Sequence, residues 1–334
     1  MHPLVSVIIP TYNRADLLPR AIDSVLAQDY AHWELIVVDD GSTDSTKEVV
    51  AEIGSRCSRP ILYLGADHRG PSAARNLGIE RSRGDFVCFL DSDDAFAPSK
   101  IGRQVELFRL RPELGLVYSD YSIHDGESDP LRAFDSVCGL ARRVPTGPVG
   151  NNLFTCRGSL FDTLIRGYFV ATITGMVRRG VLGPDIRFDE RLSYAEEWLF
   201  FLRVARRAPA GFVDEALSIH YPTPGSLTRT DCSSNSVRYL QTLKAIATTF
   251  SDLRPDQRRH LHAMMADTCR QIAFDATGRD EWGEAARSFL EALRLRPQAR
   301  TLRELAGLLP AAASRRLSSL FGRPRCQEEC DAAR

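Results

Sequence analysis

The sequence predicts an α/β domain, built on a mostly parallel sheet flanked by helices, with a C-terminal helical extension. Three observations carry that expectation. Short, almost wholly apolar runs (VSVIIP, ELIVV, ILYLG, FVCFL) recur through the first 120 residues, and strands apolar on both faces belong to covered parallel sheets. Segments with apolar residues at helical spacing lie between them. From about Ser233 onward the periodic segments are all helical.

Each element has its own signal. VSVIIP is a strand, and ADLLPRAIDSVLAQ is a helix with Leu17, Leu18, Ala21, Ile22, Val25 and Leu26 on one stripe. ELIVVDD is a strand, and STDSTKEVVAEI is a helix capped by its Ser, Thr and Asp residues. ILYLG is a strand, and PSAARNLGIERS is a helix opened by Pro71 and closed near Gly84. FVCFL is a strand, PSKIGRQVELFRL a helix and GLVYSDYSI a strand. Residues 125–150, punctuated by Pro and Gly, read as a long surface loop or flap. Mixed structure returns over 151–224, with VATITGMVRR, the helix SYAEEWLFFLRVARR and GFVDEALSIHY. DEWGEAARSFLEALRLRP looks like the second half of a tetratricopeptide unit, and a single copy reads as a helical appendage.

Composition excludes several classes. The 43 basic and 43 acidic residues balance, so no nucleic-acid partner is expected. The eight cysteines form no CxxC pair, which argues against zinc and against a disulfide scaffold and suits a reducing compartment. The start, MHPLVSVIIP, has no charged leader region, and no run approaches the ~18 apolar residues of a membrane span. A cytoplasmic chain is expected, soluble or resting on a surface. No G-x-G-x-x-G follows a strand, as a dinucleotide oxidoreductase would require.

Ligands of open parallel sheets bind beyond the carboxyl ends of the strands. Here those ends are Pro10-Thr11-Tyr12-Asn13, then Asp39-Asp40-Gly41-Ser42, then Gly65 running into ADHRGPSAARN, then Asp91-Ser92-Asp93-Asp94. Any one of these is ordinary: a turn, a helix cap, a solvated Arg75. Four at successive strand ends are not. Close carboxylates repel and raise one another's pKa; a divalent cation removes that cost, and oxygen ligands suit magnesium or manganese. Such a metal holds phosphate oxygens, so a diphosphate-bearing ligand follows from the charge.

Together VSVIIPTYNRADLLPRAIDSVLAQDY, ELIVVDDGSTDST, GPSAARNLGI and GDFVCFLDSDD resemble the family 2 glycosyltransferases of the GT-A fold. The resemblance is dense over residues 4–120 and thinner to about 228, through MVRRGVLGPDIRFDERL, AEEWLFFLRVA and IHYPTPGSLT. It implies a GT-A domain over 1–228, with a nucleotide-sugar half (1–120) and an acceptor half (121–228). Residues 229–323 would then be a helical extension and 324–334 a disordered tail.

The resemblance also implies roles. Pro10, Thr11 and Tyr12 would line the nucleotide pocket, with Asp39 and Asp40 facing base and ribose. Arg75 would approach the diphosphate. Asp91 and Asp93, around Ser92, form the DxD pair, with Asp93 on Mn2+ or Mg2+, Asp91 near the ribose, and Asp94 behind them. Glu196 and Glu197 stand where the family places an acidic pair, and Glu197 would be the general base. It is Glu where Asp is usual. His220 with PTPGSLT would be a loop closing over the diphosphate. The expected reaction is metal-dependent, inverting transfer of one sugar, a UDP-sugar being favoured, to the hydroxyl of a glycan or lipid-linked acceptor. The Gln-x-x-Arg-Trp motif of processive synthases is absent.

Two other readings stand beside this one. The first is a catalytically degenerate domain serving as a nucleotide-sugar or partner-binding scaffold. The second is a nucleotidyltransferase, weakened because PTYNR replaces a Gly-rich phosphate loop. Between Arg294 and Arg325 eight Arg stand against Glu304 alone, a pattern that suits peripheral membrane contact or a solvated basic face.

Overall fold

The computed structural model describes residues 2–57, 59–124, 131–136, 139–223 and 232–307. The tail from 324, most of the basic stretch beyond Glu304, and residues 224–228 of the PTPGSLT loop lie outside the described residues. Two compact units make up the chain, Met1–Thr230 and Asp231–Arg334.

In the first unit β1 (Val5–Thr11), β2 (Trp33–Asp39), β3 (Ile61–Gly65) and β4 (Phe86–Phe89) alternate with α1 (Leu18–Leu26), α2 (Thr46–Arg56) and α3 (Pro71–Arg81). Then come β5 (Ala95–Phe96), α4 (Lys100–Leu110) and β6 (Leu116–Ile123). The remainder adds β7 (Leu131–Arg132), α5 (Ala133–Ser136), β8 (Thr146–Gly150), β9 (Leu153–Cys156), α6 (Leu160–Leu164), β10 (Met176–Arg178), α7 (Glu196–Arg207) and β11 (Ala210–His220).

One sheet runs β3-β2-β1-β4-β10-β6-β11-β9-β8. Its first four strands are parallel, as their apolar runs predict. Beyond them the sheet is mixed. The three-residue β10 enters antiparallel between β4 and β6, while β6 and β11 are parallel. The stripe Leu18, Ala21, Ile22 and Val25 of α1 packs into the core with Val5, Val7 and Ile9 of β1. On the other side α3 lies so close to β1 that a Cβ on Gly78 would stand 2.4 Å from Cγ2 of Ile8.

The stretch 131–150 departs from the surface loop expected of it. It forms β7, α5, a 3-10 turn at Ala141–Arg143 and β8, with Ala133 and Phe134 buried. Phe134 stacks with Phe212 at 5.6 Å. Arg132 pairs with Asp120 and Asp214, and Arg142 with Asp214 and Asp135. Its anchors include one stacked aromatic and two arginines that each pair with two aspartates, too sparse to give a periodic signal.

Among the described residues the second unit holds α8 (Cys232–Thr249), α9 (Pro255–Gly278), α10 (Trp282–Leu295) and a further helical stretch over 299–307. Ala285, Phe289 and Ala292 of α10 are buried, with Phe289 edge-on to Phe274 of α9. Among the described residues no helix is long and apolar enough to cross a membrane.

Candidate active site

Parallel register brings the strand ends together: Thr11 lies beside Asp39, and Asp39 beside Gly65. Thr11 is buried, and its Oγ1 has no hydrogen-bond partner among the described residues. Tyr12 is 41% exposed and stacks on His68 at 4.0 Å. Asn13, in the left-handed region at φ 50, ties the first two strand ends together. Its N–H donates to Ser42 Oγ, and its Oδ1 accepts from the Thr43 N–H, both at 2.8 Å.

Both aspartates that end β2 are buried. Asp39 accepts from the Ser42 N–H at 2.8 Å and the Tyr63 hydroxyl at 2.5 Å. Asp40 accepts from the N–H groups of Arg69 at 2.9 Å and Gly70 at 2.7 Å. It thereby fixes the turn into α3, where Gly70 needs its φ of 93. Asp40 Oδ2 also lies 3.2 Å from His68 Nδ1, and the other three carboxylate oxygens keep a second lone pair for a ligand donor.

Arg75 is buried, and its two terminal nitrogens are committed. Nη2 donates to Oδ1 of Asp91 and Nη1 to Oε1 of Glu196, each at 2.8 Å. The guanidinium lies 5.2 Å from the ring of Phe188, which stacks on Phe200. Arg75 thereby joins the end of β4 to the head of α7. There Ala195 holds a left-handed conformation, φ 52 and ψ 33, a strain that collects at functional sites. Glu197 follows, its Oε1 accepting from the Tyr168 hydroxyl at 2.7 Å. Burial first and Glu196 second push the Glu197 carboxyl up to about 7, against the opposing pull of Arg75 and Tyr168.

Ser92 is buried, and the carboxylates beside it divide by exposure. Asp91 and Asp93 are partly exposed, whereas Asp94 is buried. Asp94 Oδ1 pairs with His220 Nδ1 at 2.9 Å and accepts from the Tyr221 N–H at 3.0 Å. Burial pushes Asp94 up to about 6, with His220 opposing and Asp91 and Asp93 adding to it. The hydrogen bond that its ring donates to Asp94 in turn raises His220. Thr223 donates to Asp93 Oδ2 at 2.8 Å. Arg20 donates to the Asp93 carbonyl and covers the Tyr221 ring at 3.7 Å. His220 thus sits against the carboxylate loop and fastens the end of β11 to it.

Among the described residues no three His, Cys, Asp or Glu side chains form a metal cluster. Asp91 and Asp93 each have one oxygen engaged, by Arg75 and by Thr223. That donor set fits a hard cation that takes one or two protein carboxylates and completes its shell with phosphate oxygens and water.

All the expected site residues gather at this edge, although Pro10 shows only a backbone role there, in the β1 ladder. Sequence reasoning passed over Tyr168 and Arg20, whose partners are distant in the chain. It also passed over Asn76, inside GPSAARN, which bonds both backbone groups of Phe188 at 2.9 and 3.0 Å.

A sheet of this order, with carboxylates at its β4 end and a helical extension following it in the chain, is the GT-A architecture. S. aureus TarS 1–349 in complex with UDP-GlcNAc has a similar fold, with a TM-score of 0.65 at 20% identity over 89% of this chain and 82% of that one. A mannosyltransferase from Pyrobaculum calidifontis, solved with GDP-Man and Mn2+, matches with a TM-score of 0.59 at 20% identity over 96% and 88%. Residues 6–156 match the sequence profile of glycosyl transferase family 2. TuaG of Bacillus subtilis, a glycosyltransferase ascribed to teichuronic acid biosynthesis, is 38% identical over 60% of this chain and 73% of its own length. The chain belongs to the family 2 glycosyltransferases. It spans 52% of a curated relative from Haemophilus influenzae and 35% of another, from Rickettsia conorii.

Proposed function

We propose that this chain transfers a single sugar, with inversion, from a nucleotide-diphosphate donor to an acceptor hydroxyl, with Glu197 as general base. The observation that carries the reading is the Asp91–Arg75–Glu196 bridge. It ties Glu196, the neighbour of Glu197, to the Asp91 end of β4 across more than 100 residues of chain, which supports reading Glu197 as a base beside a nucleotide-type carboxylate edge. In this reading the acceptor hydroxyl gives its proton to Glu197 as its oxygen bonds to the anomeric carbon. The bond from that carbon to the diphosphate breaks, and the electron pair leaves with the diphosphate. A base near 7 suits proton transfer at neutral pH. Arg75 acts by holding Asp91 and Glu196 in place.

Asp93, with Asp91 beside it, would hold Mn2+ or Mg2+, and a bound cation would neutralise charge on the departing diphosphate. A UDP-sugar is the favoured donor, supported by the UDP-GlcNAc bound to the similar TarS fold. A glycan or lipid-linked acceptor in polysaccharide synthesis is supported by the likeness to TuaG.

Thermal unfolding with a panel of nucleoside diphosphates, with and without Mn2+, tests the donor site. One nucleotide should raise the midpoint only with metal, and Asp93→Ala should abolish the shift. A shift that persists in excess chelator would sink the metal-dependent reading. Glu197→Gln should keep the shift but lose transfer by about 10²-fold or more. Full transfer in that variant would place the base elsewhere.

A further inference from the structure

We propose that Tyr168 is a positioning residue for transfer: its hydroxyl holds Oε1 of Glu197 and leaves Oε2 as the oxygen that meets the acceptor. The proposal rests on Glu197 being the base. Tyr168 sits on the stretch between α6 and β10, and that stretch is pinned on both sides of it. The indole N–H of Trp198, next to Glu197 on α7, donates to the Leu164 carbonyl at 2.7 Å. Phe169 and Val170, directly after Tyr168, are wholly buried. The ring therefore cannot drift from α7 without unpacking its neighbours, and its O–H to Oε1 distance of 2.7 Å is fixed by the fold.

A phenol has one proton to donate, and here Glu197 receives it. Burial, reinforced by Glu197, Tyr121 and Asp91, holds the Tyr168 hydroxyl well above its ordinary titration range, so it stays a donor throughout the working pH. The charges facing Glu197 are Glu196 on its own helix and Arg75 from α3; Tyr168 is the neutral donor. A donor to one carboxylate oxygen does two things. It selects the rotamer, and it favours the ionised form that a base needs. A Glu side chain has three torsions and, without this bond, several ways to point. With the bond, one lone pair of Oε1 is taken and the carboxylate is oriented so that Oε2 is the more available to the acceptor.

Removing the hydroxyl has a signed consequence. Tyr168→Phe keeps the ring packing and deletes the donor, so the Glu197 carboxyl must rise further. The acid limb of kcat/KM should move up by about one pH unit. Transfer at pH 7 should fall about five- to tenfold, and the deficit should shrink as the pH is raised above about 9. In a Glu197→Gln background the same change should cost nothing further. A limb that stays in place, or a loss equal at every pH, would overturn the proposal.

Infrared difference titration of the protonated carboxyl band, assigned by its disappearance in Glu197→Gln, reads the pair without turnover. Its midpoint should rise in Tyr168→Phe, and an unmoved midpoint would overturn the pairing. A wild-type protein whose band shifts on Tyr168→Phe, yet which transfers to no acceptor, would refute the transfer reading while leaving the pair standing. Thermal midpoints of the variants confirm that each is folded.

Discussion

At Glu197 burial and the neighbouring Glu196 push the carboxyl up to about 7 from its ordinary 4.5. The folded chain therefore binds a proton that the unfolded chain has already released between those values. By linkage, the contribution of this group to stability is complete below about pH 4.5 and is lost as the pH rises through about 7. The ionised form that the proposed base role requires is thus the form the fold tolerates least. Glu197→Gln keeps the shape and removes the ionisation. It should stabilise the protein by about 1–2 kcal/mol near pH 8, a few degrees in thermal midpoint, and by nothing near pH 4. Melting curves of both proteins across that range check it; an equal difference at both ends would mean that the carboxylate is not strained.

One helix, α3, carries much of the site. Asp40 holds the turn at its start, Arg75 spans to Asp91 and Glu196, Asn76 ties down Phe188, and Gly78 lets it lie against β1. Asn76→Ala would leave the buried N–H and C=O of Phe188 without partners. It should cost about 2–4 kcal/mol and speed hydrogen exchange at the Phe188 amide. Protection equal to that of wild type at that amide would contradict the tether.

The helix itself was legible in PSAARNLGIER, because caps and spacing are local signals. Its partners were not, since Glu196 lies 121 residues from Arg75 and Phe188 lies 112 from Asn76. The same contrast explains β10, whose three residues acquire strand character only between β4 and β6. It also explains Phe134, a buried aromatic in a Pro/Gly-rich run. The carboxylates at the ends of β2 and β4 were legible for the opposite reason. Charge that ends an apolar strand is unexplained by packing, wherever its partner lies.

For the whole molecule, every site residue named here falls within Met1–Thr230, and each unit has buried apolar residues of its own. A chain ending at Thr230 should therefore fold and show the same metal-dependent nucleotide shift as the full protein. Loss of that shift in a folded truncated chain would show that the helical unit takes part in donor binding. Transfer separates two further cases. If the truncated chain transfers at the full rate, the acceptor is recognised within the sheet unit. If it keeps the nucleotide shift but loses transfer, recognition involves the helical unit. That unit exposes Phe274, Leu290 and Leu302 and carries basic residues at Arg294, Arg296, Arg300 and Arg303. Adding an anionic lipid surface to the full chain and the truncated chain then distinguishes a lipid-borne acceptor from a soluble glycan. Only a lipid-borne acceptor should make the surface raise transfer by the full chain alone.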